Sequence, residues 1–364
     1  MDRINVGIVT LPGHFNYGNR LQCYAVSKIY ERYGLSSEEL VLAQRFKIKR
    51  AAARIVRKAL NKERVNPEDM MSDSRREAFA RFDSRIRSRT VRRLGPLAGE
   101  YDLFSVGSDQ TWNPAQFAYN EDWYFLSFAR PEQRIALAPS IGVESVTPKQ
   151  ARKIARGVCG FPKLSVRESR GAEIIRESSG KNSEVICDPT LVLAAEEWRS
   201  VADQRLTPSS PYVLAYLLGE SGRDAKAALY CATCHGRIPV ISLSDREKPD
   251  EPPAGPSEFI SLVDGAAHVV TDSFHAAVFS CILQTPLTIV RREGGSSMFS
   301  RLQTLAETLG IASKVYGSPD FDPSRTGDFS GVPEAIGRER RRFTNYLESC
   351  LDSQLPGWRG GLDV

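Results

Sequence analysis

The chain has 364 residues, 41% of them hydrophobic, and a formal net charge of +5. This length exceeds a usual single domain, so two domains with apolar cores are expected. No apolar run approaches the ~20 residues of a membrane-spanning helix, and the N-terminal residues lack a signal-peptide layout. Seven cysteines, mostly in apolar runs, indicate reduced thiols in a cytoplasmic protein rather than a disulfide scaffold.

Short apolar runs alternate with amphipathic stretches along the chain. Buried strands are predicted at INVGIVTL, YDLFSVG, QRIALAPS, LSVRE, YVLAYLLG, IPVISLS, AAHVVT and PLTIV. Helical patterns lie between them, among others at residues 20–33, 148–157, 222–235 and 298–309. Strands rich in Val, Ile and Leu that alternate with helices predict an α/β fold with parallel sheets covered on both faces.

A domain boundary is predicted in the polar, proline-bearing linker at residues 200–211. The expected division is an N-terminal domain of residues 1–203 and a C-terminal domain of residues 204–332. Residues 333–364 are expected to form a last helical segment that crosses back onto the first domain.

The first domain contains a basic segment at residues 45–93, with seventeen Lys or Arg against six Asp or Glu. The simplest interpretation is a solvated helical insertion. The functional alternative is a surface that contacts acidic membrane lipid or an anionic acceptor. No aromatic interleaving or motif indicates a nucleic-acid partner.

The first candidate site is LPGHFNYGNRLQCYA, residues 11–25, where a strand ends and a helix starts near Gly18. Helix N-termini carry unpaired N–H groups and attract anions. Asn16 and Asn19 can hydrogen-bond a sugar, or they can simply cap the helix.

A second candidate is GSDQTWNP, where a buried strand runs into Ser108, Asp109 and Gln110. Ligands of open α/β sheets bind beyond the carboxyl ends of strands, so these polar residues predict a site wall. Asp109 is a candidate general base for a hydroxyl group. The alternative is a residue that caps the next helix.

Another strand, LSVRE, ends at Arg167, which can bind a carboxylate or phosphate through two parallel hydrogen bonds. The alternative is a surface ion pair with Glu168. Asp188, before a proline, is interpreted as a structural turn near the cleft.

The stretch VVTDSFHAAVFS places His275 in the first turn of a helix, with Asp272 or Ser273 as its cap. An imidazole is suited to proton transfer at neutral pH, although a capped helix start can carry a histidine by chance. Further along, Arg291 and Arg292 leave a strand and form a cationic loop.

The run CATCH, ending at His235, matches the pattern of c-type haem attachment. No export signal accompanies it, and no fourth zinc ligand is evident. Packing at a helix end is therefore favoured, and no metal or cofactor is expected.

Six stretches of the chain, taken together, resemble the polysaccharide pyruvyl transferase family. They occur in the family's order over roughly residues 4–310, and they are NYGNRLQCYA, GSDQTWNP, RIALAPSIG, SVRE, DPTLVL and TDSFHAAVFS. The resemblance implies two Rossmann-like domains facing across a cleft, the GT-B arrangement. It implies phosphoenolpyruvate as the donor substrate and a sugar in a saccharide or lipid-linked glycan precursor as the acceptor. The product would be a pyruvate ketal, formed with release of phosphate.

The resemblance suggests catalytic roles for His275, Asp109 and Arg167. Expected donor contacts are Arg167, Ser273, Phe274, His275, Ser140, Arg291 and Arg292; expected acceptor contacts are Asn16, Tyr17, Asn19, Ser108, Gln110 and Trp112. The chain departs from the family at Ala276, where glycine commonly follows the histidine. It also has Ser273 where some relatives have arginine, and Arg291 or Arg292 would then supply that charge.

Two other functional classes share some of these features. A GT-B-like glycosyltransferase that uses a nucleotide sugar has the same fold and anion-binding loops. A basic adaptor would dock on membranes or acidic polymers through residues 45–93. The expected location is the cytoplasm, with peripheral contact at the inner membrane face through that segment, while the oligomeric state is left open.

Overall fold

The computed structural model describes residues 4–13, 16–43, 71–117, 120–219, 222–292 and 299–358. The helical insertion expected at residues 45–93 therefore lies partly outside the described residues, and only its portion from residue 71 onward can be compared. That portion contains a helix and also a strand, which the sequence pattern does not predict.

Residues 4–203, which we call the N-terminal lobe, surround a five-stranded parallel sheet. Its strands are β1 (Asn5–Val9), β2 (Ser36–Leu42), β3 (Ser88–Val91), β4 (Leu103–Val106) and β5 (Arg134–Ala136), in the order β3-β2-β1-β4-β5. A short parallel pair, β6 (Ser165–Val166) and β7 (Glu184–Val185), follows along the chain. The helices are α1 (Tyr17–Arg32), α2 (Asp73–Asp83), α3 (Pro114–Phe117), α4 (Glu121–Tyr124), α5 (Pro148–Cys159), α6 (Ser169–Ser179) and α7 (Ala195–Arg199).

Residues 204–331, which we call the C-terminal lobe, surround a four-stranded parallel sheet. Its strands are β8 (Val213–Tyr216), β9 (Val240–Leu243), β10 (His268–Thr271) and β11 (Leu287–Ile289), in the order β11-β10-β8-β9. Its helices are α8 (Arg223–Ala232), α9 (Pro256–Asp264), α10 (Phe274–Leu283) and α11 (Ser300–Leu309). A last helix, α12 (Val332–Gln354), follows this lobe.

The predicted α/β class with parallel sheets is confirmed by this arrangement. Every apolar run predicted as a strand contains one. Strands β4, β8 and β11 are buried along their whole length, and a strand buried on both faces needs a nearly continuous apolar sequence. Strands β2, β3 and β7 were not predicted. β3 lies at the sheet edge with three of its four residues exposed, so it shows no apolar signal.

The two lobes share one continuous apolar cluster. Helix α1 lies at its centre: the Tyr17 ring stacks on Phe259 of the C-terminal lobe with ring centroids 4.8 Å apart. A second contact joins Trp198 and Phe279 edge to face, also at 4.8 Å. Such aromatic contacts bury large apolar areas and fix one lobe against the other.

Helix α12 leaves the C-terminal lobe and packs on the N-terminal one. The Tyr346 hydroxyl donates to the Ala136 carbonyl at the end of β5 (2.9 Å), and Arg340 donates to the Leu191 carbonyl (2.7 Å). The domain limits set at residues 203 and 332 stay predictions. Among the described helices, none combines the length and the apolar character needed to cross a membrane.

His268 in β10 provides a pH test of the C-terminal lobe. Burial, reinforced by the Lys314 cation, lowers the pKa of His268 from 6.5 to about 4. An unfolded chain takes up this proton near pH 6.5 and the folded lobe does not, so stability is lost as pH falls from 6.5 towards 4. We expect His268→Gln to remove about 2 kcal/mol of this pH-dependent loss, discounted for partial exposure. Urea unfolding of both proteins at pH 7 and pH 4.5 measures the loss of unfolding free energy between the two pH values. An equal loss in wild type and His268→Gln would contradict the low pKa of His268.

Candidate active site

The candidate site lies where the strand ends of the two sheets meet. In the N-terminal lobe, Ser108 and Asp109 follow β4, Arg167 follows β6 and Asp188 follows β7. In the C-terminal lobe, His275 lies in the first turn of α10, just after β10. Side chains beyond the carboxyl ends of parallel strands are those that α/β folds offer to ligands. Here they come from both lobes.

The Asp188 carboxylate is the meeting point of these side chains. Its Oδ2 atom accepts from Arg167 Nη1 at 2.5 Å and from Ser108 Oγ at 2.9 Å. Its Oδ1 atom accepts from the Thr190 backbone N–H (3.0 Å) and hydroxyl (2.7 Å). His275 Nε2 lies 3.7 Å from Oδ2, and it is the contact supplied by the C-terminal lobe.

The electrostatics keep this buried pair charged. Burial by itself raises the pKa of Asp188, but His275, Arg167 and Thr190 together hold that pKa well below its usual range. Burial opposes the charge of Arg167 as well, and Asp188 and Asp109 overcome this effect and raise the Arg167 pKa. A buried ion pair of this kind is retained only when its geometry satisfies both partners.

Several donors at the site make no hydrogen bond to any described residue. They are Arg167 Nε and Nη2 and, when it carries a proton, His275 Nε2, all of them buried. Arg167 Nη2 lies 3.9 Å from Asp109 Oδ1, which is an ionic contact but too long for a hydrogen bond. Buried polar groups are nearly always satisfied in folded proteins, so such atoms mark a place for a ligand.

His275 is held against helix α1 of the other lobe. A Cβ atom placed on Gly18 would lie only 1.9 Å from His275 Nδ1, so the imidazole packs directly on the glycine backbone. Ser273 is the N-cap of α10, but its side chain makes no capping bond. Asp272 is engaged elsewhere, accepting from the Leu218 and Gly219 backbone N–H groups.

Asp109 forms the next part of the site wall. Its Oδ2 atom accepts from Asn19 Nδ2 at 3.1 Å, and its Oδ1 atom accepts from the Gln110 backbone N–H at 2.8 Å. These bonds orient the carboxylate beside Arg167. Asn19 is itself buried and packs against Gly13, where a Cβ would overlap the amide.

A cavity of about 240 Å³ opens beside these residues. Its lining comes from the C-terminal lobe: Asp272, Phe274, Arg291, Arg292, Phe299, Arg301 and Leu302. Phe274 joins the cavity to the ion pair, because the Arg167 guanidinium lies over its ring at 4.4 Å. The cavity is therefore cationic and aromatic in character.

Most of the residues predicted to contact the donor substrate lie at this site. Arg167, Phe274 and His275 are in contact, and Arg291 and Arg292 line the cavity. Arg292 donates to Asp272 at 3.0 Å, while the exposed Arg291 stacks on Phe299 at 4.1 Å.

Ser140 and Ser273, the remaining predicted donor contacts, are both buried. The Ser140 backbone N–H donates to the Asp109 carbonyl at 2.7 Å, and its hydroxyl has no hydrogen-bond partner among the described residues. The Ser273 backbone N–H donates to Thr271 Oγ1 at 2.9 Å. Both roles stay predictions.

Two of the residues predicted for the acceptor require correction. Tyr17 and Trp112 are fully buried; the Tyr17 hydroxyl donates to the Ala254 carbonyl and Trp112 Nε1 to the Tyr124 carbonyl. Both side chains belong to the core, because large aromatic rings gain most from burial. Asn16 caps α1 through the Asn19 N–H and also reaches Asp245 Oδ1 at 3.4 Å.

Sequence reasoning missed the central contacts of Asp188, and it missed Arg301 among the residues that line the cavity. The turn predicted at Asp188 is present, because Asp188 caps the short helical turn Pro189–Leu191 through the Thr190 N–H. The Asp-Pro pair after an apolar run did not indicate that the same carboxylate also binds Arg167 and Ser108. The alternative considered for Arg167, a surface ion pair with Glu168, is not formed, since Glu168 accepts from two backbone N–H groups instead. Arg301 lay within a helical pattern that gave no indication of a site.

The run CATCH lies at the end of α8, with Cys231 and Cys234 exposed. Within the described ranges, no group of three or more His, Cys, Asp or Glu side chains is placed to hold a metal ion.

Comparison with known proteins places the chain in a family. A family model described as polysaccharide pyruvyl transferase matches residues 16–293. No curated protein matches the sequence.

Solved structures resemble the chain at low identity. The S. aureus MnaA–UDP co-structure is 10% identical, with a TM-score of 0.51 over 99% of this chain and 100% of that chain. The UDP-GlcNAc 2-epimerase from Neisseria meningitidis bound to UDP-GlcNAc is 11% identical, with a TM-score of 0.48 over 95% and 100% of the two chains. Identity this low shows the fold alone, and the match to the MnaA–UDP co-structure confirms the GT-B arrangement predicted from the sequence.

The contact between Gly18 and His275 can be tested by substitution. Gly18→Ala places a methyl group 1.9 Å from His275 Nδ1, so the imidazole or α1 must move. We expect a loss of about 1–3 kcal/mol in unfolding free energy, as for overpacked cores. Urea unfolding measures the change.

Gly337→Ala in α12 is the matched control, since the nearest atom to its added Cβ would be Arg341 Nη1 at 3.7 Å. Removing a helix glycine there should stabilise the protein by up to about 1 kcal/mol. If both variants gained stability, the close packing of His275 on α1 would be refuted.

Proposed function

The chain belongs to the polysaccharide pyruvyl transferase family, and we propose that it moves the pyruvyl group of phosphoenolpyruvate onto two hydroxyls of a sugar. The products are a pyruvate ketal and phosphate. The sugar belongs to a saccharide or a lipid-linked glycan precursor, and the protein needs no further cofactor.

One observation carries this proposal: the buried Arg167 has two N–H groups without a hydrogen-bond partner among the described residues, beside a histidine from the other lobe. Arginine presents paired N–H groups whose geometry matches a carboxylate or a phosphate. Phosphoenolpyruvate carries one of each. The cationic cavity next to Phe274 supplies room for such an anion.

The proposed reaction starts with proton transfer to the donor. His275 gives a proton to the methylene carbon C3, which becomes a methyl group and leaves C2 electron-poor. A sugar hydroxyl forms the first new C2–O bond while Asp109 takes its proton. General acid–base catalysis by positioned side chains of this kind contributes rate factors of about 10²–10⁴.

The second half of the reaction releases phosphate. The C2–O bond to phosphate breaks with its electron pair on the departing oxygen, which takes the proton held by Asp109. The second hydroxyl then closes the ketal at C2 while its proton passes to His275, so both side chains return to their starting states. Over the whole reaction, one hydroxyl proton ends on the methyl carbon and the other on phosphate. The Asp188 carboxylate supports this cycle because its Oδ2 atom lies 3.7 Å from His275 Nε2, where it can orient the imidazole towards the donor.

The proposed acceptor reaches the same site from the wall formed by Asp109 and its neighbours. Ser108 is fully buried and bonded to Asp188, so we assign it to holding that carboxylate rather than the sugar. Asn16 and Gln110 remain proposed acceptor contacts. We place the reaction in the cytoplasm, where phosphoenolpyruvate is formed; membrane contact through residues 45–93 is a separate proposal, most of whose residues lie outside the described ranges.

The test is phosphate release from phosphoenolpyruvate with a panel of nitrophenyl and lipid-linked sugars. His275→Asn should lower turnover by about 10²–10⁴-fold, since a carboxamide cannot transfer the proton. The KM for phosphoenolpyruvate should change little, because Arg167 still binds the anion. A His275→Asn protein with near-normal turnover would rule out the central role of the imidazole.

His235→Asn is the matched control, since His235 is exposed at the end of α8 and outside the site. It should keep wild-type turnover. A thermal shift by phosphoenolpyruvate but not by nucleotide sugars would separate pyruvyl transfer from glycosyl transfer, and the reverse pattern would overturn the proposal.

A further inference from the structure

Asp245 is a carboxylate of the C-terminal lobe that the site described above does not use. It lies just after β9, and its side chain is partly exposed. Its Oδ1 atom accepts from the Tyr216 hydroxyl at 2.8 Å and from Asn16 Nδ2 at 3.4 Å. Both bonds fall on Oδ1, and no described residue donates a hydrogen bond to Oδ2. One oxygen of this carboxylate is therefore fixed by the protein, and the other is left for a donor from a ligand.

The bond to Asn16 connects Asp245 with the candidate active site. Asn16 Oδ1 accepts from the Asn19 backbone N–H at 3.0 Å, and Asn19 Nδ2 donates to Asp109 Oδ2 at 3.1 Å. A chain of hydrogen bonds thus runs from Asp245 of the C-terminal lobe, along the first turn of α1, to Asp109 of the N-terminal lobe. The imidazole of His275 packs on that same turn. The two carboxylates therefore flank the turn of α1 that holds the proposed acid.

The strand order places Asp245 beside the donor cavity and not within it. In the order β11-β10-β8-β9, the cavity residues Asp272 and Arg292 follow β10 and β11, while Asp245 follows β9 at the other edge. Neighbouring strands lie about 4.8 Å apart, so the ends of β10 and β9 are separated by about 10 Å. These are all carboxyl ends of strands, where α/β sheets bind ligands. A single sugar ring that is hydrogen-bonded on both sides fills a gap of this size.

The charge of Asp245 determines which ligands it favours. The nearby Arg75 donates from Nη2 to the carbonyl of the adjacent Ser244 at 2.7 Å, and its ionic contact is with Glu251, at 3.9 Å. Within the described ranges, no Lys, Arg or His side chain forms an ion pair with Asp245. A carboxylate without a cation accepts strongly from hydroxyl groups and repels a second carboxylate. This position therefore favours a neutral ligand that carries hydroxyl groups.

We propose that Asp245 binds a hydroxyl group of the acceptor sugar, one that does not react, while Asp109 takes the proton of the hydroxyl that does. This inference rests on the proposed function and adds a residue that selects the acceptor. The sugar lies across the first turn of α1, with its reacting side at His275 and Asp109 and its far side at Asp245. The acceptor class is then a neutral sugar, and a uronic acid is disfavoured because its carboxylate would face Asp245.

The experiment measures initial rates of phosphate release by wild type and Asp245→Asn, with the nitrophenyl glycoside that wild type turns over fastest. Asparagine keeps a carbonyl oxygen for Tyr216 and Asn16 but presents an NH₂ group in place of Oδ2. The acceptor KM should rise about 10–100-fold, the range of a lost charged hydrogen bond. The KM for phosphoenolpyruvate should not change, and kcat should fall little, because the reacting groups stay in place.

Monodeoxy versions of the same glycoside identify the hydroxyl that Asp245 binds. With wild type, one of them should lose about 10–100-fold in kcat/KM, because a site built to bind a hydroxyl rejects an analogue that lacks it. With Asp245→Asn the same analogue should lose nothing further, since the bond is already absent. The corresponding uronic acid should be a poor acceptor for wild type and a better one for Asp245→Asn.

Asp250→Asn is the matched control, because Asp250 is an exposed carboxylate of the same loop. It makes the same change of charge and should keep both KM values of wild type. If Asp245→Asn fails to fold, Tyr216→Phe carries the measurement, since it removes only the hydroxyl that orients Asp245. Its acceptor KM should rise about 2–10-fold, the range of a lost neutral hydrogen bond, and an unchanged value would overturn the inference.

An equal acceptor KM in wild type and Asp245→Asn would overturn this inference alone. So would an equal rise in the KM values for acceptor and phosphoenolpyruvate, which would mean that Asp245 supports the shape of the whole cleft. A wild-type protein that releases no phosphate with any sugar of the panel would overturn the proposed function as well.

Discussion

The buried ion pair between Arg167 and Asp188 is the interaction on which the rest of the site depends. Two charges in the interior are tolerated only when each is paired and hydrogen-bonded. Thr190 and Ser108 donate the other hydrogen bonds that the carboxylate accepts, so Asp188 cannot turn away from Arg167. The guanidinium is therefore fixed with its Nε and Nη2 edge turned away from Asp188, and that edge is where an anionic donor would bind.

A second constraint is the contact between the lobes. In GT-B folds the site is divided between two halves, so its geometry depends on how the halves are held. Here α1 is packed among aromatic rings of the C-terminal lobe, and Gly18 lets His275 approach its backbone. The histidine reaches Asp188 because α1 permits a distance that any side chain at Gly18 would prevent.

The fold was largely predictable because buried parallel strands leave an unmistakable apolar run. β4 and β10 were predicted from such runs, and both end at site residues. β3 was not, because an exposed edge strand such as SRTV has no such pattern. Arg167 and His275 were predicted at strand ends, and the structure places them there. They lie close together because parallel strands bring their carboxyl ends to one side of a sheet.

The rest of the site depends on packing that no local pattern encodes. Tyr17 and Trp112 stand next to polar residues in sequence, yet their rings point into the core, which spacing alone could not reveal. Asp188 gave the signal of a turn, and its role follows only from the approach of Arg167 and His275. Asp245 lies 229 residues from Asn16 in the chain, and the contact between them exists only once the two lobes meet.

The central claim is that the protein converts phosphoenolpyruvate into a sugar ketal, and following the donor carbon tests it most directly. Phosphoenolpyruvate labelled with ¹³C at C2 is incubated with protein and the sugar panel, and the product is examined by NMR. The account predicts that the label moves from an enol carbon to a tetrahedral carbon bonded to two sugar oxygens, with one phosphate released per label. A label that stays in phosphoenolpyruvate with every acceptor, or ends in free pyruvate, would contradict it.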